Sequence, residues 1–171
     1  DRMFAPTDGW TLPAHLFLVS GWSASCRNPN NPMSCVSNVD LKEDDERWAY
    51  GEQPISAWTD ITWLLNQHGV SWGYYVAPGT CSFPPCSGPE PADHTASGKN
   101  PLPGFTTIYE TGQQDRILDH DDFMRAASAD TFPSVTWSVP ETKTSSHTGA
   151  ARYICAANAP GTRLVNGPMK G

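Results

Sequence analysis

Apolar positions along the chain fall into short blocks separated by long polar stretches rich in proline and glycine. The first block, Leu12-Pro-Ala-His-Leu-Phe-Leu-Val19, comes directly after a hydroxyl residue, Thr11. A proline is tolerated in the first helical turn, where its missing N–H has no partner to lose, so a helix is predicted to start at Pro13. Thr11 then sits at or next to its N-cap. Residues 56–68 show the clearest helical period: Trp58, Ile61, Leu64, Leu65 and His68 have the i, i+3, i+4, i+7 spacing of one buried face. Gly69 is placed to close that helix as its C′ residue. Val70-Ser-Trp-Gly-Tyr-Tyr-Val76 comes at once after it, β-branched and aromatic, and reads as a buried strand.

A second round of the same grammar comes later. Asp121 and Asp122 open a helix to about Ala129, and Ser134-Val-Thr-Trp-Ser-Val139 reads as a second buried strand, ended by Pro140. Phe105–Tyr109 is a short strand or a turn. Helix, short link and strand, repeated, predicts an α/β layer fold with a mostly parallel sheet.

The stretches between these blocks are long. Residues 21–54 form an excursion ending in the acidic run Asp40–Arg47, most simply a solvated surface. Residues 77–104 carry Pro78, Pro84, Pro85, Pro89, Pro91, Pro101 and Pro103 and admit no regular element. A loop of that length in a compact domain is usually functional, often a rim or lid over a site. A polar loop, Glu141–Gly149, comes after the second strand. Ala151–Ala157 reads as a strand or a short helix, and Pro160-Gly161 and Gly167-Pro168 interrupt any regular element beyond it. The chain thus divides into residues 1–149 and a divergent C-terminal segment, 150–171.

Composition narrows the function classes. A length of 171 residues suits one domain with a real core. Eleven Lys and Arg against eighteen Asp and Glu leave a formal charge of −7 with no basic block, which argues against a nucleic-acid partner. No apolar run approaches the ~20 residues of a membrane span. With no initiator Met and no signal peptide, the chain is expected to be processed or to be a segment of something longer. Cys26/Cys35 and Cys81/Cys86 lie in Pro/Asn/Ser-rich loops and read as loop-closing disulfides of a secreted or periplasmic protein. Zinc is the rival reading, but the spacings are not CxxC and no His stands beside them. Cys155 is left over.

Thr11 is the first candidate for chemistry. It is either an N-cap contributing about 1 kcal/mol to the helix or a nucleophile that attacks a phosphoryl group held at the helix N-terminus. His147 is the second. It lies in the polar loop past the carboxyl end of a predicted strand, the edge where open α/β sheets bind ligands. His15, one turn from Thr11, reads as a packing or supporting residue, and His68 as a helix-end residue. His94 gives no signal. Asp119-His120-Asp121-Asp122 resembles a metal cluster at first sight, yet adjacent residues do not face one another on a helix, and Asp at a helix start is ordinary capping. Asp60 either points into a site or serves the first turn of its helix.

Together the blocks Asp1-Arg-Met-Phe-Ala-Pro6, Trp10–Ser20, Trp58–Leu65, His68–Val76, Leu102–Thr107 and Phe132–Pro140 resemble the bacterial phosphoesterase family of non-specific phospholipases C and acid phosphatases. The resemblance runs in order over residues 1–149. It implies a partial three-layer α/β/α fold of alkaline-phosphatase type and hydrolysis of phosphate esters, phospholipid head groups among them. It also implies a divalent metal ion and a nucleophile at Thr11, which would itself ligate the metal, with His147 as the active-site histidine. The family's remaining acidic ligands, a Glu-Asn pair near its start and an Asp-Asp pair after the histidine, are absent from this sequence. Thr11 and His147 alone do not satisfy a cation that needs several oxygen ligands. The sequence therefore looks like the middle of a phosphoesterase, with an incomplete metal site of its own. The alternative from another class is an inactive fragment or a non-catalytic binding domain on the same scaffold.

Overall fold

The computed structural model describes residues 11–39, 55–76 and 99–140. Its organising element is β3 (Trp72–Val76), the central strand of a three-stranded sheet in the order β4 (Ile117–Asp119), β3, β5 (Val135–Val139). Both pairings are parallel. Every residue of β3 is buried, as expected of a parallel strand covered on both faces, whose sequence is then continuously apolar and not alternating.

The two faces of β3 bury different things. Trp72, Tyr74 and Val76 join Leu12, Leu16 and Val19 of α1 (Thr11–Ser20), together with Leu102, Phe105 and Ile108, in one core. Tyr75 turns to the other face and packs edge-on against Phe123 of α4 (His120–Ala129), with ring centroids 5.5 Å apart. Helices therefore lie against both faces of a parallel sheet, and the α/β class predicted from the sequence is the one observed. The strand at 134–139 was expected to be buried. Among the described residues it pairs with β3 alone: Thr136 and Ser138 are exposed, and Val135, Trp137 and Val139 are half-buried.

The helix expected over 56–68 is shorter, spanning Ile61–Gln67 (α2). Residues 55–57 are captured by the segment before α3 (Thr106–Glu110) instead. The Ile55 and Ser56 N–H groups both donate to Gly104 O, at 2.9 and 2.8 Å, and Thr106 N–H donates back to Ser56 O at 3.1 Å. Backbone pairing to a distant segment wins over local helix propensity there. The buried face changes accordingly. Thr62 is the buried residue of α2, Ile61 and Leu65 pack against the core, and Leu64 and His68 face outward. The C-terminal end matches expectation. Gly69 adopts φ +65°, and Val70 N–H donates to Leu65 O at 2.9 Å, so the last carbonyls are satisfied in a left-handed cap.

α1 is helical from the first described residue, Thr11, so the proline expected to start it, Pro13, lies within the helix. The excursion after α1 contains a hairpin: β1 (Ala24–Cys26) pairs antiparallel with β2 (Cys35–Ser37), and the directly opposed Cys26 and Cys35 are joined by the expected disulfide. Cys81, Cys86 and Cys155 lie outside the described residues, as does segment 150–171. Among the described residues, no helix is long and apolar enough to cross a membrane.

Candidate functional site

The three parallel strands end level, because Val76 is in register with both Asp119 and Val139. In parallel α/β sheets ligands bind outside the carboxyl ends of the strands, where helix N-termini and loops converge. At that edge β3 leads into residues 77–98, β4 into the turn Asp119–Asp122, and β5 into residues 141–149 with His147. Of these three continuations, only the turn after β4 lies within the described residues.

That turn is a helix cap. Asp119 Oδ1 accepts from Asp122 N–H at 2.8 Å, and Asp122 Oδ2 accepts reciprocally from Asp119 N–H at 3.3 Å. Asp122 is also ion-paired with Arg125. The carboxylates are thus occupied with the N-terminus of α4, as the sequence pattern predicts. Among the described residues, no three His, Cys, Asp or Glu side chains converge to hold a metal ion.

Thr11 is the first described residue and lies in α1, half-buried, with Leu12 beside it fully buried. The first four N–H groups of a helix have no partner inside it, and Pro13 has no N–H at all. The backbone N–H groups on either side of Pro13 in α1 are those of Leu12 and Ala14. His15 is half-buried on the same helical face, four residues on. His147 and His94 lie outside the described residues. His68 is the exposed C-cap of α2, in agreement with its prediction as a helix-end residue.

Asp60 is not within its helix but is its N-cap. It is only 1% exposed and accepts from Thr62 N–H at 2.7 Å, from the Thr62 hydroxyl and from the Thr107 hydroxyl. The chain of hydrogen bonds continues from Thr107. Its carbonyl accepts from Thr111 Oγ1 at 2.6 Å, Thr111 Oγ1 accepts from Gln113 Nε2 at 2.6 Å, and Gln113 Oε1 accepts from Trp72 Nε1 at 2.8 Å. Arg116 lies over the Trp72 ring, 5.7 Å from its centre. This chain ties β3 to the N-termini of α3 and α2, satisfying buried polar groups that would be costly unpaired. Sequence pattern alone does not point to Thr107 or Gln113. Asp60 with Thr62 two residues later, at the start of an apolar period, is the cap signal that was available.

Two buried phenols complete the electrostatics. Tyr74 donates to Lys99 O at 2.8 Å, and burial pushes its hydroxyl pKa well above the usual range. Tyr75 is shifted upward too, by burial first and then by the negative charge of Asp122. Lys99 is shifted downward by burial.

No curated protein and no solved structure matches the chain. The model of the Phosphoesterase family matches residues 1–159, a span that takes in α1, the whole sheet and the stretch carrying His147.

Proposed function

The chain belongs to the Phosphoesterase family, and on that premise we propose that it hydrolyses phosphate esters of the phospholipase C or acid phosphatase type through a nucleophilic Thr11. The observation that carries this reading is the position of Thr11 in α1, two residues before Pro13 and inside the span that the family model matches. A hydroxyl there meets the amides and the positive end of the helix dipole, which favour the negatively charged phosphoryl group of a substrate.

The Thr11 hydroxyl gives up its proton to His147 as its oxygen attacks phosphorus, the P–O bond to the alcohol breaks, and a phosphoryl ester of Thr11 is left on the protein. The helix amides stabilise charge on the phosphoryl oxygens in the transition state. His147 passes that proton to the departing alkoxide, then takes one from the water that hydrolyses the intermediate and returns it to the Thr11 oxygen, releasing inorganic phosphate from a monoester or phosphocholine from the phospholipid. A divalent metal belongs to this reading and supplies Lewis-acid chemistry. The described residues do not provide its ligand set. A secreted or periplasmic location also belongs to it, and the Cys26–Cys35 disulfide is compatible with that.

The test is release of chromophore from an aryl phosphate, or of phosphocholine from its lipid ester, with divalent metals added one at a time. Turnover that disappears in Thr11→Ala supports the reading, and turnover that survives the substitution overturns it. Phosphate binding by calorimetry with no turnover of either ester would identify a non-catalytic domain on this scaffold instead.

A further inference from the structure

α1 carries two adjoining stripes of residues with different surroundings. Leu12, Leu16 and Val19 repeat at the helical spacing and are fully buried in the core. The residue before each of them, Thr11, His15 and Leu18, falls on the adjoining stripe. Thr11 and His15 are half-buried, and Leu18 is exposed. This second stripe therefore runs along the boundary between core and solvent, backed by packed side chains and only partly covered.

Helix geometry makes Thr11 and His15 neighbours on that stripe, because residues at i and i+4 have Cβ atoms about 5–6 Å apart. A helical side chain leans toward the N-terminus of its helix and covers the turn before its own Cα. For His15 that turn is the one carrying Thr11. Pro13, between the two, has no N–H to offer a ligand. The imidazole of His15 has a ring N–H in either neutral tautomer. The other described histidines are placed elsewhere. His68 is the exposed C-cap of α2, and His120 stacks on Phe123, which packs on Tyr75 at the opposite face of the sheet.

We propose that His15 is a phosphoryl-binding residue, donating its ring N–H to a non-bridging oxygen of the phosphoryl group as that group is transferred to Thr11. This role rests on the Thr11 reading and gives it a further substrate contact. The hydrogen bond gains strength as charge builds on the phosphoryl oxygens in the transition state, so His15 acts on kcat more than on KM. No proton leaves His15, and proton transfer stays with His147.

The experiment is steady-state hydrolysis of an aryl phosphate by the full chain with added divalent metal, in wild type, Thr11→Ala, His15→Phe and His15→Gln. A melting temperature accompanies each variant. His15→Phe fills similar space without a ring N–H and is expected to lower kcat by about tenfold or more, with KM changed by no more than about twofold. His15→Gln keeps a donor and is expected to recover most of that loss. If His15→Phe does not fold, His15→Met takes its place, matching Gln in length but lacking the donor. A silent Thr11→Ala beside a His15→Phe as active as wild type overturns this role alone and leaves the Thr11 reading standing. Equal losses in His15→Phe and His15→Gln, matched by lowered melting temperatures, make His15 a packing residue and also overturn the role. Turnover that survives Thr11→Ala, or none in wild type, overturns the Thr11 reading and the role of His15 with it.

Discussion

The Thr107 hydroxyl donates to the Asp60 carboxylate, joining α3 to the first turn of α2 across 47 residues of chain. Asp60 is at once the helix cap and the acceptor for two threonine hydroxyls. Asp60→Ala removes the cap and strands buried donors, for an expected loss of about 3 kcal/mol. Asp60→Asn keeps one acceptor oxygen and is expected to cost less. Urea denaturation of the two variants checks both the size and the order.

Tyr74 gives the fold an alkaline limit. Burial raises its folded-state pKa above the ~10 of an unfolded tyrosine. Its contribution is fully present below pH ~10 and is lost above it, because the unfolded chain ionises while the folded chain holds the proton. Tyr74→Phe is expected to cost about 1 kcal/mol at neutral pH, from the lost bond to Lys99 O. It should also make the decline of stability above pH ~10 shallower, which melting curves across the alkaline range would show.

Reduction of the Cys26–Cys35 disulfide releases a short closed loop. Chain-entropy arguments put the expected loss at about 2–3 kcal/mol. Paired Cys26→Ser/Cys35→Ser unfolding curves measure it, and no difference from wild type would show that the β1–β2 ladder holds the hairpin unaided.

Gly73 leaves no room for a side chain. A Cβ there would lie 2.9 Å from Tyr75 Cε2, in the ring that packs on Phe123. Gly73→Ala is expected to displace that ring and destabilise the protein by about 1–3 kcal/mol, visible as a lowered melting temperature and an altered near-ultraviolet signal.

The sequence was most legible where one physical cause acted alone. β3 is buried on both faces, so Trp72–Val76 reads as a strand without help from its neighbours. Gly69, free to take φ +65°, marked the end of α2. The start of α2 was misplaced because Ile55 and Ser56 pair with Gly104, a contact that no local pattern encodes. Likewise β4 is three residues long and has no period to detect, and β5 was read as buried although Thr136 and Ser138 alternate with its apolar residues and are exposed among the described residues. Of the site, the helix carrying Thr11 was legible from the apolar run Leu12–Val19. The network of Asp60, Thr107 and Gln113 joins residues distant in sequence and had only its cap half in view.

The central claim is that Thr11 carries the phosphoryl group during turnover. Its most direct measurement is acid-quenching of the chain during hydrolysis of a phosphate ester, with peptide mapping for covalent phosphate. The expected result is phosphate on the peptide containing Thr11 in wild type and none in Thr11→Ala. Turnover with Thr11 unmodified, or phosphate trapped on another residue, would contradict it.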